Sequence, residues 1–180
     1  IVTQNFPPKI GGIQTVMFSV ANDLASMGNE VHVFPDHWFL GKNTFKVSNL
    51  ISPKIFRQYI KKLLLSIKGH KESIIICDTW KSINAVPKKF KNIILFAHGQ
   101  EYLKLKNKNK ILSSLLRTKI LITSSKYTLD LIKKNWDVSH INANIIYPTY
   151  HIKKLLFKKS PLNRVTNFIS ICRIEKRKGL

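Results

Sequence analysis

A chain of 180 residues with 44% hydrophobic residues can bury one sizeable core, and at about 150 residues per domain little remains for a second. Its 31 Lys and Arg against 9 Asp and Glu give a net charge of +22, which favours anionic partners: phosphates, nucleic acid or acidic lipid. No apolar stretch approaches the ~20 residues needed to cross a bilayer, and the two cysteines show no CxxC or Cys/His spacing that would suggest a metal.

In chain order, "IVT" reads as a strand already under way. "NFPPKIGG" then leads into a helix, with Ile13, Val16, Met17, Val20 and Leu24 at helical spacing and Gly28 as its stop. "VHVF" at 31–34 reads as a strand. Ile55, Phe56, Tyr59, Ile60, Leu63, Leu64 and Ile67 predict a helix with a wide apolar face, edged by Arg57, Lys61, Lys62 and Lys68. Short β-branched runs recur at 73–77, 92–97, 119–123, 144–147 and 168–172. After "KILIT", Ser124 or Ser125 is available to cap a helix with Tyr127, Leu131 and Ile132 on one face. "KLKNKNK" at 104–110 reads as an exposed loop or helix edge. Cys77 and Cys172 each end an apolar run, as buried reduced thiols would.

Continuous apolar strands alternating with helices predict an α/β fold: a Rossmann-like, doubly wound parallel sheet covered on both faces. Ligands of such sheets bind outside the carboxyl ends of the strands. That edge collects Gly11-Gly12, Asp78, His98, Ser124 and Arg173. Gly11 and Gly12 either make a turn or let a phosphate approach the helix N-terminus, where free amides and the helix dipole favour anions. There is no GxGxxG and no Walker GxxxxGK[ST], which argues against ordinary NAD and ATP sites. His98 either bonds to neighbouring backbone or faces a ligand, donating to a phosphate or positioning a reacting group. Arg173 and Lys178 are either a solvated charge run or a clamp for a diphosphate.

Taken together, "FPPKIGGIQ" with its following helix, "AHGQE", "ILITSSKYTLDLIKKNW", "IIYPT" and "ICRIEKRKGL" resemble, in order and spacing, the landmarks of the family 4 glycosyltransferases, which have the GT-B fold. The resemblance implies an N-terminal Rossmann-like, acceptor-side domain over 1–160, with 161–180 opening the donor-binding domain of a longer protein. It implies transfer of a sugar from a nucleotide-sugar to an acceptor hydroxyl, with retention at the anomeric carbon and neither cofactor nor essential metal. In that reading Gly11 and Gly12 lie beside the donor phosphates, His98 faces the transferred sugar, and Arg173 and Lys178 neutralise the diphosphate leaving group. The family's paired glutamates belong to the second domain and are absent from these residues, so the 180-residue piece is expected to be inactive alone.

The implied partners are a nucleotide-sugar, a glycan or lipid-linked acceptor of the polysaccharide or glycolipid kind, and an anionic membrane surface on its cytoplasmic face. The helix at 55–67, with Lys61 and Lys62, is the candidate membrane contact. Two other classes stand beside this reading: a noncatalytic sugar- or lipid-binding domain and, less favoured, a basic nucleic-acid-binding module using aromatics such as Tyr59 and Trp80.

Overall fold

A computed structural model of the chain describes residues 1–50, 52–103 and 107–147. The expected strand at 168–172, Cys172, the boundary at 160/161, Arg173 and Lys178 lie outside the described residues.

The protein is α/β with parallel strands. A pair, β1 (His32–Val33) and β2 (Lys46–Val47), stands beside a four-stranded sheet of order β3 (Ile75–Cys77), β4 (Ile93–Ala97), β5 (Ile120–Thr123), β6 (Asn142–Ile145). Both sets are parallel throughout, with Ile75 opposite Ile93, Ile94 opposite Ile120 and Ile120 opposite Asn142. The opening residues join them. Val2 bridges Phe34 on one side and Cys77 on the other, with its amide donating to the Ile76 carbonyl at 2.8 Å and the Thr3 amide to Phe34 at 3.2 Å. Across the molecule the order is therefore β2, β1, residues 1–3, β3, β4, β5, β6.

Period-two alternation sends the strand side chains to two clusters. Ile75, Cys77, Ile93, Leu95 and Ala97 face one side, where α3 (Trp80–Ile83), α4 (Lys108–Leu115) and α5 (Lys126–Asn135) supply Ile83, Ile111, Leu115 and Ile132. Ile76 and Phe96 turn the other way, toward α1 (Gly12–Ser26), which buries Met17 and Ala21. Each fully buried Ile or Leu contributes about 1.5–3 kcal/mol, so these two clusters hold the sheet and set where its carboxyl edge lies. β2 and α3 have no counterpart in the sequence reading, being two and four residues long.

Two local expectations need correction. Ser125 is the cap of α5, its hydroxyl accepting from the Thr128 amide at 3.2 Å, but the inward face is Thr128, Leu129 and Ile132. Tyr127 is 72% exposed, because the cap sets the rotation of the first turn and leaves position 127 pointing outward.

The larger correction concerns α2 (Arg57–Lys68). Its buried side chains are Lys61 and Leu65, whereas Ile55, Phe56, Tyr59, Leu63 and Ile67 are exposed. The predicted apolar face is split: Leu64 packs on the core beside buried Leu65, and a lysine takes a place on that inward face while Tyr59, Leu63 and Ile67 point outward. Lys61 Nζ lies 2.5 Å from an Asp36 carboxylate oxygen and donates to the Thr3 carbonyl at 2.7 Å. Burial lowers its pKa while the Asp36 carboxylate resists, and only this pairing makes a buried ammonium tolerable. Lys61 is thus an internal tie and does not meet a membrane.

Candidate functional site

Because every strand is parallel, all the carboxyl ends share one edge. The order in which strands are added reverses there, between residues 1–3 and β3: β1 and β2 lie to one side of the opening segment, and β3 to β6 to the other. Such a switch point opens a crevice in parallel sheets.

Asp78, the residue after β3, is fully buried at this point. One carboxylate oxygen accepts from Thr3 Oγ1 at 2.9 Å, the Gln4 amide at 3.0 Å, and the Asn5 amide and Nδ2, both at 2.9 Å. The other accepts from the Ser82 hydroxyl within α3. A carboxylate with that many donors fixes the loop leaving the first segment. Phe6 secures the same loop from its apolar side, packed edge-on at 5.3 Å from Phe39.

The loop delivers Gly11 and Gly12 to the N-terminus of α1. Gly11 is the N-cap and has no side chain with which to satisfy the first amides. Its φ of 161° is ordinary extended backbone, and a Cβ there would meet only the movable end of Gln14, at 2.5 Å from Oε1. A Cβ on Gly12 would meet nothing within 4 Å. Neither packing nor backbone strain among the described residues requires a glycine at 12; what its hydrogen leaves is unshielded backbone at a helix N-terminus.

His98 follows β4 on the same edge. Gly99 takes φ +86°, a left-handed conformation that suits glycine, and its Cβ would stand 3.2 Å from Thr128 Oγ1. This turn starts the short 3-10 segment Gln100–Tyr102 and brings Glu101 back toward His98. Burial lowers the His98 pKa, opposed by the nearby Asp78 carboxylate. Burial pushes Glu101 up to about 8; the His98 main-chain N–H works against that, and the Asp78 charge adds to it. At neutral pH the edge therefore carries a neutral imidazole beside a neutral carboxyl. Such a pair exchanges hydrogen bonds with hydroxyl groups and does not supply a cation for a phosphate. His98 Nε2, Glu101 Oε1, Tyr102 OH and Trp80 Nε1 are all buried without a protein partner among the described residues. Buried polar atoms of this kind call for a ligand or ordered solvent.

Glu101 has no role in the sequence reading, although its spacing of three from His98 across a glycine turn was the available signal. An open cleft of about 490 Å³ lies along the same edge past β1, lined by Asp36, Trp38 and Arg57 among others. A second, of about 370 Å³, opens at the opposite end by Lys91 and Lys119, where the strands begin. Among the described residues, no group of three or more His, Cys, Asp or Glu side chains is arranged to hold a metal ion. Of the sequence-derived site residues, Gly11, Gly12 and His98 share the carboxyl edge, while Arg173 and Lys178 lie outside the described residues. The sequence matches no known family model and no curated protein.

Proposed function

We propose that the chain is the acceptor-side half of a GT-B glycosyltransferase: a doubly wound domain that takes part in moving a sugar from a nucleotide-sugar to a glycan or lipid-linked hydroxyl, with retention. The observation that carries this reading is the switch-point edge, where an uncapped, glycine-started helix and a neutral His98–Glu101 pair flank one buried anchor, Asp78. The helix N-terminus suits the diphosphate of the donor, on which negative charge grows as the glycosidic bond breaks. His98 and Glu101 suit sugar hydroxyls and orient the transferred residue. Arg173 and Lys178 would complete the anion site as cations on the leaving diphosphate. The reaction would run at the cytoplasmic face of a membrane when the acceptor is lipid-linked.

The test uses the complete polypeptide with its donor half, supplied with UDP-, GDP- and ADP-sugars and a lipid-linked acceptor fraction, and measures nucleoside diphosphate release. His98→Ala is expected to lower turnover by about 10²-fold or more with an unchanged melting temperature, the scale of losing a positioned polar group at a reacting centre. Turnover equal to wild type in that variant, or no release from any donor in the wild type, would overturn the proposal.

A further inference from the structure

The cleft past β1 is lined by Asp36, His37, Trp38, Leu50 and Arg57 among others, and its volume of about 490 Å³ is that of a small-ligand site. Trp38 is 46% exposed there, whereas Trp80 and Trp136 are 3% and 4% exposed. An indole left half on water beside buried Leu50 is an apolar platform with no packing duty to explain it. The C–H face of a sugar ring lies flat on such a platform, leaving its hydroxyls free at the ring edge.

The polar groups of the cleft are of three kinds. Arg57 donates through Nε to the Ser52 carbonyl at 3.2 Å, which holds the guanidinium in place; among the described residues no partner takes its Nη groups, so a planar fork is left on the wall. Asp36 gives one oxygen to Lys61 at 2.5 Å, so its charge is already matched and its second oxygen is left to accept from a hydroxyl. Burial lowers the His37 pKa, and the charges of Lys9, Arg57 and Lys54 lower it further against Asp36. That leaves a neutral imidazole able to bond hydroxyls, surrounded by cations from three separate stretches of chain. From His37 to Lys71 the sequence contains no Asp or Glu to balance them.

This combination selects its occupant. A neutral sugar would use the indole, Asp36 and His37 but leave the Arg57 fork unmatched. A nucleic-acid strand calls for aromatics in series along a cationic track, and the Asp36 carboxylate opposes a phosphodiester. We propose that the cleft binds an acidic saccharide: its ring lies on Trp38, its hydroxyls meet Asp36 and His37, and its carboxylate or phosphate is held by the Arg57 fork with Lys9 and Lys54 around it. In the transfer reading this saccharide is the acceptor, an assignment that rests on that reading; the binding itself does not. A failed turnover assay leaves the binding result standing, and failed binding leaves the His98 edge untouched.

Calorimetric titration of the complete polypeptide at one fixed ionic strength tests it, with digalacturonate, glucose 1-phosphate, neutral maltose, and acetate and inorganic phosphate as anions without a ring. One acidic sugar is expected to bind about tenfold or more tighter than maltose and than the matching ringless anion, the scale of a charge-assisted hydrogen bond. The tighter of the two assigns the anion as carboxylate or phosphate. Arg57→Gln should remove that preference and leave maltose unchanged, while Trp38→Ala should weaken every sugar, both with unchanged melting. Lys9→Gln, on a different loop, should weaken the acidic sugar alone by about two- to fivefold, the scale of an exposed charge pair. Lys110→Gln, an exposed lysine on α4, is the control for bulk charge. The proposal is overturned if neither acidic sugar outbinds maltose and its ringless anion, if Arg57→Gln binds as wild type does, or if Lys110→Gln costs as much as Lys9→Gln. Tighter binding of octathymidylate than of either acidic sugar, lost in Trp38→Ala, would assign the cleft to single-stranded nucleic acid and overturn it equally.

Discussion

Replacing Lys61 by Met keeps the length and apolar stem of the side chain and removes only its ammonium. That group is a cation 2.5 Å from Asp36 and a donor to the Thr3 carbonyl at 2.7 Å, and the Lys61 side chain is 2% exposed. Breaking a buried ion pair by removing one partner costs about 3–5 kcal/mol, since the other charge is left without compensation. The Asp36 side chain is 19% exposed, so water recovers part of that loss. The Thr3 carbonyl loses its side-chain donor and adds about 1 kcal/mol. The expected cost is about 3 kcal/mol, or a fall in melting temperature of about 6–12 °C for a domain of this size.

Urea unfolding followed by circular dichroism measures it, and the pair Lys61→Met with Asp36→Asn supplies the internal check. Neutralising the abandoned carboxylate should recover about half of the loss, the coupling expected of two groups in contact and not of distant, independent sites. Lys62→Met, one position away but on the solvent side, should change stability by less than about 0.5 kcal/mol. If Lys61→Met costs under about 1 kcal/mol, as removal of an exposed pair would, the inward placement of Lys61 and the outward turn of the α2 stripe are both refuted.

Glu101, with a folded pKa of about 8 against 4.5 when unfolded, retains a proton in the native state over a window in which the unfolded chain has released it. Its contribution is therefore complete below pH 4.5 and is lost as pH rises toward 8. The limit set by that shift is about 5 kcal/mol, and its partial exposure discounts this to about 2. Glu101→Gln should flatten the stability slope between those pH values and make the variant the more stable protein at pH 8; an unchanged slope in thermal melts would show that the carboxyl ionises freely in the fold. Ser125→Ala removes the cap of α5 and should cost about 1 kcal/mol in urea unfolding, with a loss below 0.3 counting against the cap.

The inner strands were legible because buried parallel strands carry continuous apolar runs: "SIIIC", "NIILFA" and "KILIT" contain β3, β4 and β5, while "NIIY" overlaps only the last two residues of the edge strand β6. β2 was not, since Lys46–Val47 is two residues long and owes its place to bonding with β1. The edge was legible in outline, because parallel direction alone puts Gly12, Asp78 and His98 on one side. What Asp78 does there was not: its donors on Gln4 and Asn5 are 74 and 73 residues away, and no local pattern encodes a contact at that separation. Glu101 was missed for a different reason. It is close in sequence to His98, but its altered acidity comes from burial beside Asp78, a property of the assembled edge and of no motif.

α2 shows the same limit in its sharpest form. Periodicity correctly marks an amphipathic helix at 57–68, and for most helices the step from an apolar arc to a buried arc is safe. Which arc faces inward is decided by what waits on the other side of the interface. Here Asp36 waits, three residues past β1, and together with the Thr3 carbonyl it compensates the ammonium of a lysine turned inward beside Leu65. Once Lys61 is drawn in, rotation of about 100° per residue leaves Tyr59, Leu63 and Ile67 no position except the outside. The exposed position of Tyr59, Leu63 and Ile67 thus follows from the opposite face, where the Lys61–Asp36 pair and the packing of Leu64 and Leu65 on the core fix the rotation of the helix.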